Sequence, residues 1–189
     1  MWSVALIIAA AALPIVTHTP ERSLCSVTEL RHSSGYRYRV ERIGEFVDSA
    51  TVIVRAVAIG VDTLDTDAVD PRYRREPAVV FRPLETLRGT VAPDRLVFRG
   101  AVVDRDDFNP GSVPYTLVRL AGQRGDCEAK EYRLGAEYLF ILRPSRRGGL
   151  TPHWRPLAPF NEQVRGAEDP WVEWVRARIR QSSARQRGA

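Results

Sequence analysis

The sequence has almost no lysine and almost no cysteine. Lys130 stands alone against 27 arginines, so the net charge of +5 and the pI near 9.7 are arginine charges scattered among Ala, Val, Pro and Gly. A nucleic-acid interface needs such residues clustered with aromatics on one element. No such cluster is visible, and no nucleic-acid partner is expected. Catalytic signatures are missing as well. There is no Gly-x-Ser-x-Gly elbow, no His-Glu-x-x-His and no Gly-x-x-x-x-Gly-Lys-Ser/Thr loop, which removes the readable hydrolase, zinc-protease and phosphate-loop classes. The three histidines are His18, His32 and His153; apart from Glu29, three positions before His32, no other Asp, Glu, Cys or His lies within a few residues of His32 or His153. A metal site needs three or four converging ligands. No catalytic residue, no metal and no cofactor is expected.

What is present is ordinary for a single globular domain: 189 residues, 44% hydrophobic and 27% charged. Met1 to Val16 is almost uncharged around the run Val4 to Leu13. That is the length of a signal-peptide core and too short for a stable span. Residues 1–19 therefore read as a signal peptide, cut between Ala12 and Pro20, on a secreted or periplasmic chain. An uncut leader would be its membrane attachment. In an exported chain, Cys25 and Cys127 fit one disulfide, with free thiols or a metal pair as the alternative. The two are 102 positions apart. Closing that loop would stabilise by roughly 4–5 kcal/mol in the chain-entropy model.

The most apolar run after the leader is Tyr138-Leu139-Phe140-Ile141-Leu142, closed by Arg143-Pro144. It reads as a strand buried on both faces, against which the other strands must pack. Upstream, Tyr36 to Val40 alternates as a half-buried strand, Glu41 to Asp48 has helical spacing, and Ala50 to Gly60 is a long β-branched strand. Val61 to Pro77 carries Asp62, Asp65, Asp67 and Asp70 but lacks the glycine and terminal glutamate of a calcium loop. It reads as a charged hairpin connection. Pro77 to Leu87 is a strand with Pro83 marking an edge or a bulge, and Asp94 to Gly100 another. Val103 to Pro114 is a loop and Tyr115 to Leu120 a returning strand. Leu150 to Leu157 reads as the hairpin partner of residues 137–143. Asp169-Pro170 starts a helix whose Trp171, Val172, Trp174, Val175 and Ile179 form a docking stripe. Tyr36, Tyr38, Phe81 and Phe98 read as core aromatics rather than stacking platforms. Six or seven short strands with few helices predict a mainly β fold, a small closed or nearly closed barrel.

Four segments then resemble, in order, the netrin-like family, whose best-known members are the tissue inhibitors of metalloproteinases. Cys25 with Phe46 to Ala56 is similar to the family's first helix and long strand. Leu84 to Gly89 is similar to its strand ending in a basic-Gly turn. Cys127 with Tyr132 to Leu142 is similar to its Cys…Gly-x-x-Tyr-Leu element, and Leu150 to Asn161 to the strand and turn that follow. The resemblance implies a five-stranded Greek-key barrel of the oligonucleotide/oligosaccharide-binding type at 20–165, with short flanking helices. It also implies a Cys25–Cys127 bridge. A C-terminal amphipathic helix at 166–182 and a disordered tail at 183–189 complete the expected layout. The animal inhibitors start at Cys-x-Cys, whose free amine and carbonyl chelate the protease zinc; here the residues are Cys25-Ser26-Val27. The expectation is thus a monomeric, non-enzymatic binding module of bacterial style in the cell envelope, with an unknown protein partner. The alternative is a metalloprotease inhibitor acting through a ridge of Cys25, Ser26, Val27 and Thr28.

Overall fold

The computed structural model describes residues 37–65, 75–91, 95–124, 127–145, 149–152 and 155–188. The fold is mainly β: an antiparallel sheet curled into a half-barrel, with two helices, one of them C-terminal. Helix α1 (Val40–Ser49) leads into strands β1 (Val52–Asp65), β2 (Arg75–Arg88), β3 (Leu96–Arg99) and β4 (Ala101–Val103). Strands β5 (Glu131–Arg133), β6 (Glu137–Pro144), β7 (Leu150–Pro152) and β8 (Asn161–Val164) follow, then helix α2 (Pro170–Arg187). The sheet runs β3-β2-β1-β6-β7, and β8 shares with β7 the edge of β6 that faces away from β1. Strands β4 and β5 make a separate parallel pair. Among the described residues the end strands β3 and β7 do not pair with each other, so this sheet of six strands curls into a half-barrel, on the open side of the closed or nearly closed barrel expected. Strands of four and three residues offer too little ladder to close it.

Strand β6 organises both cores, because successive side chains of a strand point to opposite faces. Tyr138, Phe140 and Leu142 join Val54, Phe81 and Phe98 in the inner core of the curl, while Leu139 and Ile141 join Phe46, Trp171 and Val175 beneath the helices. Five residues of β6 in a row are buried, as the apolar run predicts. The inner core is aromatic: Phe81 meets Phe140 at 4.8 Å and Tyr132 at 4.9 Å, both near edge-to-face. Such pairs add about 0.5–1.5 kcal/mol beyond their buried area.

The β1–β2 ladder shifts register at Ile53/Val54, Arg55/Ala56 and Ala58/Gly60. Each irregularity bends and twists the strand, which supplies the curl. Gly60, read as a strand end, is the third of these bulges, so β1 continues to Asp65. Pro83 pairs with Ala56 beside the second, past the reach of β3, which covers only Ala78 to Phe81. It occupies an edge half of β2 and a bulge at once. Gly89 ends β2 at φ +72, and a Cβ there would lie 2.2 Å from the Thr51 carbonyl oxygen. Gly89→Ala is expected to destabilise by about 2 kcal/mol, seen as a lower urea midpoint with unchanged slope.

Among the described residues, two expected strands are absent. Arg37 to Arg39 is an extended lead-in to α1, with a ladder-like bond from the Tyr38 N–H to the Thr116 carbonyl at 2.8 Å. Tyr36 lies outside the described residues. Tyr115 to Leu120 is irregular and ends in a 3-10 turn over Leu120–Gln123. Side chains claim its backbone groups: the Leu117 carbonyl accepts from Asn109 Nδ2 at 2.8 Å and the Arg119 N–H donates to Glu162 Oε1 at 3.1 Å.

Helix α2 docks as its stripe predicts, with Trp171, Val172 and Val175 fully buried. It runs to Arg187, past the residue where the sequence pattern ends it. Arg176 pairs with Glu85 at 2.8 Å, Arg178 Nε donates to Asp48 at 3.1 Å, and Arg88 reaches Ser182 at 2.9 Å. At its start Asp169 Oδ1 accepts from the Trp171 N–H at 2.9 Å and Oδ2 from the Arg165 N–H at 3.0 Å. Asp169→Ala is expected to lose about 1 kcal/mol of unfolding free energy and Asp169→Ser much less. Thermal melts of the pair check both.

Candidate functional site

Of the residues singled out in the sequence, the structure describes Cys127. Cys25, Ser26, Val27 and Thr28 lie outside the described residues, as do His18, His32, His153, Asp67 and Asp70. Cys127 is buried in a small cluster with Val118, Ala121, Ala129 and Leu157, and its carbonyl accepts from the Leu157 N–H at 2.7 Å. Phe81 and Phe98 are core residues, and Tyr38 packs partly buried against the core beneath the helices. No group of three or more His, Cys, Asp or Glu able to hold a metal occurs among the described residues.

The densest chemistry lies elsewhere, between the loop 104–124 and β8. Arg119 is fully buried, and its guanidinium reaches Asp107 Oδ2 at 2.7 Å, the Asn161 carbonyl at 3.0 Å and the Ala129 carbonyl at 3.2 Å. It lies 5.3 Å from the ring centres of Tyr132 and Tyr138. Glu162, also fully buried, accepts from the Arg119 N–H through one oxygen and from Asn109 Nδ2 at 2.8 Å through the other. Asp107 Oδ2 accepts again from the Ala121 N–H at 3.1 Å, and the Asp107 N–H donates to Gln163 Oε1 at 2.7 Å. Asn161 Nδ2 closes the circle on the Ala129 carbonyl and the Tyr132 hydroxyl, at 2.6 and 2.9 Å.

Burial dictates the electrostatics. It pushes the Glu162 carboxyl up to about 7, against the Arg119 charge and the hydrogen bonds from Asn109 and the Arg119 N–H. Burial likewise raises the Tyr132 phenol far above its usual range, and it pushes Tyr115 up to about 12. At the solvent edge, hydrogen bonds from Gln163 and Arg133, with the Arg133 and Arg165 charges, hold Asp106 below the usual carboxylate range despite some burial. Each nitrogen of the Arg119 guanidinium and both oxygens of Glu162 are engaged, and neither side chain reaches solvent. The node holds the loop against the barrel; it presents no group to a substrate. Sequence reading passed over it, although Arg119 inside Tyr115-Thr116-Leu117-Val118-Arg119-Leu120 is a charge in an apolar run, and such a charge requires a buried partner.

One accessible recess is the seam of the half-barrel. The end strands β3 and β7 line a cleft of about 590 Å³, with Leu64, Asp65, Arg95 and Glu128 contributing to its walls. Arg99 on its β3 side pairs with Glu76 at 2.6 Å, so that wall carries a neutralised charge. The molecule is thus an open, helix-backed β half-barrel with a sealed polar node and one long seam. Neither the family models nor the curated proteins compared with this chain match it.

Proposed function

We propose that the chain is an exported binding module of the cell envelope, built on a netrin-like barrel of the oligonucleotide/oligosaccharide-binding type and not an enzyme. The seam carries this reading. Its volume is in the range of small-molecule and peptide recesses, and sheet edges bound it on two sides. The proposed Cys25–Cys127 bridge supports the same placement. Cys127 is buried, no free thiol occurs among the described residues, and the next residue, Glu128, is part of the cleft wall. A bridge there would tether the ridge Cys25 to Thr28 to the rim of the seam.

A photoreactive side chain at Val97 or Thr151 of the exported chain is expected to capture a discrete envelope partner. The same group at Ile59, exposed but outside the cleft, should capture none. Equal capture at all three positions would remove the seam from the proposal. Turnover of an ester, phosphate or peptide substrate, abolished by one point substitution, would overturn the binding-module reading itself. The second proposal, a metalloprotease inhibitor acting through Cys25 to Thr28, requires a mature chain that begins at Cys25, because any preceding residue turns the zinc-binding amine into an amide. The intact mass of the exported protein decides between the two.

A further inference from the structure

The charge of this chain is unevenly placed. All 23 acidic residues and 23 of the 28 basic ones precede Trp174, so the sequence up to that point is formally neutral. From Trp174 onward there are five arginines and no Asp or Glu, and these account for the whole net charge of +5. The structure divides the five by role. Arg176 and Arg178 are spent on Glu85 and Asp48, latching α2 to the barrel. Arg180, Arg185 and Arg187 are exposed on the last two turns, and Arg180 and Arg187 are seven positions apart, which places them on one helix face. Interaction with the helix dipole accounts for basic residues in the final turn. It does not account for the absence of any carboxylate over this stretch.

We propose that the C-terminal end of α2 is a docking surface for the anionic face of a lipid bilayer. No helix among the described residues is long and apolar enough to cross a membrane; the attachment proposed here is a peripheral one. Guanidinium groups match phosphate oxygens in fork geometry and keep their charge at any physiological pH. Basic residues near an anionic surface each strengthen binding about fivefold, so the pair on one face gives on the order of twenty-five-fold. The patch fits lipid better than nucleic acid because no aromatic residue follows Trp174, which is itself packed against the apolar cluster beneath the helices. Single-strand recognition depends on aromatic stacking platforms beside the cations.

The test is sedimentation of the full chain with vesicles of neutral phosphatidylcholine, with or without a third of phosphatidylglycerol. Binding to the anionic vesicles is expected to exceed binding to the neutral ones at least tenfold and to collapse in 0.5 M salt, as screening requires. The variant Arg180→Gln/Arg185→Gln/Arg187→Gln should lose that increment. Arg82→Gln/Arg143→Gln/Arg155→Gln, which removes the same charge from exposed positions elsewhere, should keep it. Binding through the apolar run at Met1 to Val16 would be equal on both vesicles and insensitive to salt, so that result overturns the proposal. Equal losses in both triple variants would show a net-charge effect and overturn it too. Salt-sensitive retention of a single-stranded oligonucleotide, lost only in the α2 variant and without a vesicle increment, would reassign the patch to nucleic acid.

Discussion

Replacing Arg119 with methionine is expected to lower the unfolding free energy by about 3–5 kcal/mol, a large part of the stability of a domain this size. Methionine fills much of the same volume, so the loss is electrostatic rather than a cavity effect. It leaves Asp107 buried with its charge uncompensated and the Asn161 and Ala129 carbonyls each short of a donor. Because the Arg119 side chain ties loop 104–124 to the segment before β5 and to β8, amide exchange should rise first in these segments. The charge argument has its own check. Asp107→Asn in the wild-type protein removes one partner of a buried pair and should destabilise. In the Arg119→Met background it removes the stranded charge while keeping an oxygen for the Ala121 N–H, and should restore on the order of 1–2 kcal/mol. Urea unfolding of the four proteins gives the cycle. The same sign for Asp107→Asn in both backgrounds would show that Arg119 acts through packing alone.

Apolar periodicity made the frame of this fold readable before any coordinate was known. The run Tyr138 to Leu142, the β-branched stretch that became β1, and the Asp169-Pro170 helix start all express local rules that tertiary contacts did not override. The misreadings at β8 and at Tyr115 to Leu120 share one physical cause. Strand β8 is Asn161-Glu162-Gln163-Val164, buried at all four positions, and a hydrophilic stretch of that kind carries no period-2 apolar signal. It is buried through hydrogen bonds, and those same bonds draw Tyr115 to Leu120 away from the strand that its alternation suggested. A polar network assembled from residues 107, 119, 132 and 162 is a set of pairings, and pairings are invisible to a pattern read along one chain. The expected ridge at Cys25 to Thr28 lies outside the described residues, so for the site only Cys127 and the core aromatics could be compared.

Stability should fall as pH rises from 4.5 to 7, through Glu162. Its carboxyl is raised in the fold to about 7 from an ordinary 4.5. Below 4.5 the group is protonated both folded and unfolded, and the fold bears no penalty for it. Between the two values the unfolded chain releases the proton while the folded chain retains it, so each pH unit removes about 1.4 kcal/mol. Above 7 both forms are ionised and the loss stays constant, at on the order of 3 kcal/mol. Asp106 and Glu85 do not obscure this window. Their folded values lie below the ordinary ones, so the stability they contribute is fully present above 4.5 and is lost only toward stronger acid. The groups facing Glu162 are the Arg119 charge and N–H, the Asn109 amide and the Asp107 carboxylate. Glu162→Gln removes the titration but places an amide nitrogen opposite either the Asn109 or the Arg119 donor, so its absolute stability is a poor guide. The informative quantity is the wild-type minus variant difference, which should move against the wild type by about 3 kcal/mol between pH 4.5 and 7.5. A difference that stays level across that range would mean that Glu162 is ionised throughout, its two accepted hydrogen bonds and the Arg119 charge outweighing its burial.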